Sequence, residues 1–249
     1  MNELSESATM VVGASRGLGR GIATAFADAG ARVIAVSRTA MEFPESADGA
    51  AIQPEIADAG DATVAARLLD RYEPKALILV AGASVHMRPL QQQTWETFSV
   101  NWLTDVRISF HWLREALLKP LQPGSRVIVF SSGAAVNPTG SPLSGGYAGA
   151  KATQRFITGY AQDEAERAGL DISFTAVLPY FAPETGVGRA AVQAYAARAG
   201  QPVEEYLQGQ GALITPEIAG AAVVELVQAD ATKVARNYRL SGTGLEQLF

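Results

Sequence analysis

The runs ALILVAG (76–82) and RVIVFSS (126–132) are apolar almost throughout, and this pattern constrains the fold of the 249-residue chain more than any other feature. A strand with one wet face alternates apolar and polar residues. A strand apolar at every position needs cover on both faces, as in a parallel sheet. ATMVVGA (8–14), ARVIAVSR (31–38) and DISFTAVLP (171–179) repeat the pattern, with weaker candidates at AAIQPEI (50–56) and NYRLSG (237–242). Helical stretches separate these runs. GLGRGIATAFADAG closes near Gly30, ATVAARLLDRY is capped by Asp58 or Asp61, and YAGAKATQRFITGYAQDEAERAG (147–169) ends at Gly169. TPEIAGAAVVELVQ (215–228) opens on Thr-Pro with Glu217 in its first turn. Alternating strands and helices imply parallel pairing by right-handed crossovers. The expected fold is therefore α/β, an open doubly wound parallel sheet in three layers.

TWETFSVNWLTDVRISFHWLREAL (94–117) reads as one long helix whose Trp95, Phe98, Trp102, Val106, Leu113 and Leu117 recur at helical spacing and are expected to pack inward. No repeat or long linker divides the chain, so residues 1–249 are expected to form one domain. The stretch 180–214 is too long for a mere connection and reads as an irregular loop that carries function, with Tyr180, Phe181, Tyr195 and Tyr206 offering an apolar pocket wall.

Composition removes several classes of function. The chain has no cysteine and only His86 and His111, which excludes disulfides and thiol catalysis and leaves no expected metal site. Net charge is −5 with scattered Lys and Arg, so no nucleic-acid partner is expected. The polar, acidic start MNELSESATM has no leader character, and no apolar run is long enough for a bilayer; a cytoplasmic protein without membrane contact is expected.

VVGASRGLGR places Gly13, Gly17 and Gly19 between a strand and a helix. Glycines let the backbone approach a pyrophosphate, and a helix start offers free N–H groups. Gly13, Ser15, Arg16, Gly17, Leu18 and Gly19 are thus the expected dinucleotide cradle; the alternative is a glycine turn that binds nothing. The second strand ends Val36-Ser37-Arg38-Thr39, without the acid that binds a ribose 2′-hydroxyl. A guanidinium there pairs with a 2′-phosphate, so Arg38 and Arg16 favour NADP(H) over NAD(H), with Ser37 also expected at the cofactor, unless Arg38 is a solvated loop charge.

Tyr147 and Lys151, four apart, share a helix face. A free phenol titrates near 10, and an adjacent ammonium favours its charged form. Ser132, at the end of a buried run, is placed to orient a substrate oxygen, with Ser131 as its rival. A hydride-transfer site needs little more than a bound cofactor, a polarised carbonyl and a proton source. Together, VVGASRGLG, the serine-ended strand and YAGAK resemble the short-chain dehydrogenase/reductase family in its single-domain form. The resemblance implies a Rossmann-like fold and NADP-dependent interconversion of a carbonyl and an alcohol. It implies Tyr147 as general acid/base, Lys151 as ribose-binding and phenol-activating residue, Ser132 as the carbonyl-orienting hydroxyl and Asn101 as support for a water near the lysine. It also implies a homodimer or homotetramer built on the helices 94–117 and 147–169.

The chain departs from the family pattern in places. Leu79-Val80 replace two asparagines ahead of Ala81 and Gly82, which still face the adenine-side ribose. The acid beside the adenine is expected at Glu55, with Ile56 following, or alternatively at Asp58. Fifteen positions separate Ser132 from Tyr147, slightly more than usual. After Pro179, Tyr180 replaces a glycine and Thr185, expected at the nicotinamide carboxamide, comes a residue late. His86 and Arg88 lie near the expected cleft mouth. A catalytically weak dinucleotide sensor, or an epimerase or dehydratase on the same scaffold, are the competing functions.

Overall fold

The computed structural model describes residues 7–43 and 52–248. Eight strands form one sheet: β1 (Ala8–Val12), β2 (Arg32–Ser37), β3 (Ile52–Ile56), β4 (Ala76–Leu79), β5 (Ser125–Phe130), β6 (Ile172–Pro179), β7 (Asn237–Ser241) and β8 (Gly244–Leu248). Their order is β3-β2-β1-β4-β5-β6-β7-β8, and every pairing is parallel except β7 with β8. The expected doubly wound sheet is present. The weak strand expected at 50–56 is β3; its residues 50 and 51, and the polar start 1–6, lie outside the described residues.

Continuous apolarity along the strands has its predicted cause. Met10 and Val12 pack with α2 (Ala62–Tyr72), α4 (Arg107–Leu118) and α5 (Gly145–Arg167), while Val11 between them packs with α1 (Gly17–Asp28) and α8 (Pro216–Gln228). Trp112 and Phe26, one in each layer, are fully buried; each such side chain stabilises the fold by roughly 1.5–3 kcal/mol. Asp61 rather than Asp58 caps α2, accepting from the Thr63 amide at 2.8 Å. Among the described residues no helix is long and apolar enough to cross a membrane.

Three expectations need correction. The stretch 94–117 is not one helix: α3 (Trp95–Asn101) is joined to α4 by a π-helical turn over Trp102–Val106. A π turn holds an extra residue, so an apolar stripe read at 3.6 residues per turn does not continue across it. Trp95 is 73% exposed and Trp102 40%, whereas Trp112 donates its ring N–H to the Ala59 carbonyl at 3.1 Å in the core. Residues 180–214 are not irregular throughout, because they hold α6 (Gly186–Ala199) and α7 (Val203–Gln208). Thr185 caps α6, and Gly200 ends it at φ +68°. A run dominated by alanine gives little face-to-face contrast, which hides such a helix from periodicity. Finally, β8 adds an antiparallel strand that the sequence did not announce.

Candidate active site

Seven parallel strands end on one edge of the sheet, and a cleft of about 1590 Å³ runs along that edge. Pockets for one small molecule hold 300–1,000 Å³, so this cleft has room for a dinucleotide and a second reactant. At one end the chain comes close to itself. Gly13 has φ +98°, and a Cβ there would stand 2.5 Å from the Ala81 nitrogen; one on Gly19 would stand 2.1 Å from the Gly13 oxygen. Helix α1 begins beside them without a side-chain cap and without an acid in its first turn, whereas Asp61, Thr94, Thr185 and Thr215 cap α2, α3, α6 and α8. Uncapped N–H groups beside a bare backbone fit a pyrophosphate. Ser15, Arg16, Gly17, Leu18, Ser37, Arg38, Ala81 and Gly82, all expected here, line this end. Arg16 and Arg38 are exposed, so both are available to an anion. Arg20 is committed instead, donating to the Glu42 carbonyl at 2.7 Å and lying 4.7 Å from the Phe43 ring centre.

Glu55 and Ile56 are not in the cleft. The Glu55 carboxylate accepts from Arg71 and the Tyr72 hydroxyl on α2, and Ile56 is 63% exposed. Burial, and then that bond to Glu55, push the Tyr72 phenol above its usual range. Of the two acids weighed for this place, the one that lines the cleft is Asp58, two residues past β3, with its carboxylate accepting from the Gly60 amide at 2.9 Å. Adjacent strand residues face opposite ways, and the lining acid comes only after the strand has ended.

Farther along the cleft, α5 presents Tyr147 and Lys151. Lys151 is 5% exposed; its ammonium donates to Gln154 Oε1 at 2.7 Å and to the Phe130 carbonyl at 3.3 Å, and lies 5.5 Å from the Tyr147 ring centre. It is also ion-paired at 3.2 Å with Asp105, which is 1% exposed. Asp105 did not stand out in the sequence. Its only signal is the four-residue spacing from Asn101, which puts both on one helix face. The two residues brace the turn after β4: Asp105 accepts from the Ala83 amide at 2.8 Å and Asn101 donates to the Ala83 carbonyl at 3.3 Å. Asn101 itself is buried and does not line the cleft, because Asp105 lies between it and the lysine.

Ser131 and Ser132 separate cleanly. Ser131 donates to the Lys151 carbonyl at 2.7 Å, which spends its hydroxyl on holding α5. Ser132 lines the cleft and, among the described residues, its hydroxyl accepts from the nearby Ala134 amide at 3.2 Å and donates to none, so its proton is available. Four tyrosines line the same region. Tyr195 bonds Ser144, Tyr180 lies under Arg239, and burial, then Tyr195, push the Tyr206 phenol upward and away from a base. Tyr147 alone adjoins an ammonium, and no described residue bonds its hydroxyl. Pro179 and Thr185 line the cleft too, but the Thr185 hydroxyl is taken by the Gly188 amide and the Ala182 carbonyl, with its methyl 3.4 Å from a Cβ on Gly17. His86 and Arg88 stay outside; Met87 between them faces in. Among the described residues no cluster of acids or histidines suits a metal.

A solved structure shares this fold, and several relatives match parts of the sequence. A short chain dehydrogenase from Mycobacterium avium superposes with a TM-score of 0.74 over 99% of this chain and 86% of its own, at 22% identity. L-xylulose reductase of Homo sapiens is 32% identical over 99 residues, 39% of this chain and 41% of that protein. D-erythrulose reductase of Gallus gallus is 32% identical over 127 residues, 49% of this chain and 51% of its own. A tropinone reductase homolog of Arabidopsis thaliana is 28% identical over 148 residues, 55% of each chain. The chain thus spans about half the length of the curated relatives it matches. The short chain dehydrogenase family model matches residues 7–196, which takes in the glycine turn, Asn101, Ser132, Tyr147 and Lys151, and the chain belongs to that family.

Proposed function

We propose that the protein is an NADP(H)-dependent oxidoreductase that interconverts a carbonyl and an alcohol, with Tyr147 as the proton donor and acceptor. The observation that carries this reading is the Tyr147 hydroxyl, without a hydrogen-bond partner among the described residues, in a cleft beside a buried, fixed ammonium. Gly13, Gly17 and Gly19, with the bare start of α1, would hold the pyrophosphate, and Arg16 and Arg38 the 2′-phosphate. A reduced nicotinamide bound there supplies a hydride to the carbonyl carbon. In that direction Ser132 donates a hydrogen bond to the carbonyl oxygen and fixes its position, and Tyr147 gives its phenolic proton to the same oxygen. Lys151 offsets the charge left on the phenol, while Asp105, Gln154 and the Phe130 carbonyl keep the lysine in place.

Two further features belong to this reading. Residues 180–214, with α6 and α7, form the substrate-side wall of a single catalytic domain. Exposed Trp95, Trp102, Leu103, Phe110, Phe156 and Tyr160 on α3, α4, α5 and the π turn support a homodimer or homotetramer, since a monomer in water gains nothing from such a patch. One observation favours the sensor alternative: the Lys151 ammonium already has a carboxylate partner. NADPH consumption over a panel of ketones and aldehydes separates the two. Turnover is expected with at least one carbonyl class and is expected to fall by about 10²- to 10⁴-fold in Tyr147→Phe. Tight NADPH binding with no turnover on any compound selects the sensor.

A further inference from the structure

Arg239 is a charged residue at the reacting end that the scheme above leaves without a task. On β7 it lies between Tyr238 and Leu240, both buried in the layer of α1 and α8. Strand alternation turns Arg239 to the opposite face, where α5 packs. Asn237 on that face accepts a hydrogen bond from Arg155 of α5 at 3.0 Å. From this fixed point Lys151 is one helical turn, and Arg239 two strand residues, nearer the cleft. Both steps cover about 6 Å, at 1.5 Å per helical and 3.3 Å per strand residue. Arg239 therefore stands level with Lys151, two strands across from β5, a separation on the order of 10 Å.

The guanidinium lies 4.1 Å from the Tyr180 ring centre and lines the cleft. Its Nε is buried with no hydrogen-bond partner among the described residues. Among the described residues the ion-paired cations are Arg71, Arg114, Lys119, Lys151, Arg167 and Arg236, and Arg239 is in none of these pairs. Glu246, its register partner on β8, is exposed and makes no pair with it. Of the other acids in the cleft, Asp105 is taken by Lys151, and Glu42 and Asp58 follow β2 and β3, about 24 Å or more away by strand spacing. A partly desolvated cation without an anion is costly, and a carboxylate that takes two parallel N–H bonds relieves the cost. Stacking on Tyr180 holds the plane of the fork. One unmatched positive charge suits a carboxylate better than a phosphate dianion.

We infer that Arg239 is the substrate-binding cation of the cleft and that the carbonyl substrate carries a carboxylate, so the substrates are oxo acids and the products hydroxy acids. The inference rests on the carbonyl-reduction reading and adds its substrate class. The test compares oxo acids of increasing chain length with their methyl esters, in NADPH-dependent rates and, with NADP⁺ replacing NADPH to prevent turnover, in binding by calorimetry. Acids are expected to exceed esters by about 10- to 100-fold in kcat/KM, carried by KM. Arg239→Gln is expected to cost the acids that factor more than the esters, and Arg239→Lys, which keeps the charge but loses the fork, to restore part of it. Esters used as well as acids by the unmodified protein overturn the inference, as does an equal loss for both in Arg239→Gln. If no carbonyl is reduced, the reaction reading fails by itself and binding decides: acid binding that Arg239→Gln removes upholds the anion subsite, and acids bound no better than esters overturn it.

Discussion

At the nucleotide end of the cleft, Gly13 and Gly19 bring main chain so near main chain that a single added carbon would stand 2.5 or 2.1 Å from backbone atoms. At the reacting end the same edge of the sheet is filled by long side chains: Lys151 against Asp105 and Gln154, and Tyr180 under Arg239. One end is shaped by what is missing from the residues, the other by long polar and charged side chains, with the Lys151–Asp105 pair at their centre. Steric exclusion has no partner to adjust, whereas a charge network can be broken and partly mended by changing two members together.

Three measurements test that contrast. Asp105→Asn keeps the size of the side chain but leaves the buried Lys151 ammonium without its counter-charge. Breaking such a pair costs about 3 kcal/mol, hence a fall in Tm on the order of 10 °C for a chain of this size. Adding Lys151→Met removes both charges and is expected to recover part of that loss. A double variant whose loss equals the sum of the two single losses, with nothing recovered, would show that the end does not behave as a network.

Gly19→Ala comes next. Its methyl meets the Gly13 carbonyl, and crowding of this kind costs about 1–3 kcal/mol, up to about 100-fold in NADPH affinity by fluorescence titration. Here no second substitution is expected to help, and unchanged affinity would remove the steric account. The smallest effect is expected from Arg38→Ala. Loss of one charge-assisted contact lowers NADPH affinity by about 10-fold while NADH, lacking the 2′-phosphate, changes little. Equal losses for both nucleotides would reassign Arg38 to general electrostatics.

The two ends also differed in how legibly the sequence described them. Glycine is conspicuous because its use is conformational, so Gly13, Gly17 and Gly19 could be located from spacing alone. The strands ALILVAG and RVIVFSS were legible for a related reason: burial on both faces leaves an unbroken apolar run. Tyr147 and Lys151 could be paired because a helix fixes which residues share a face. Contacts between distant elements had no such local mark. Nothing near Asp105 in the chain announces that Lys151, from another helix, will meet it. Arg239 sits in a strand whose alternation was readable, but which face held the cleft depended on where α5 packed. The choice of Glu55 over Asp58 turned on where β3 ends, and α6 was missed because alanine on every side of a helix leaves no stripe. The π turn after Asn101 reflects a backbone choice that side-chain periodicity does not encode.

The antiparallel strand β8 has a practical consequence. It runs back along β7 so that Leu248 pairs with Asn237, at the edge of the sheet where the parallel strands begin. Ser7, just ahead of β1, stands at that edge as well. A tether, label or solid support joined at either of these positions therefore departs from the side of the molecule opposite the cleft and leaves its mouth open to solvent.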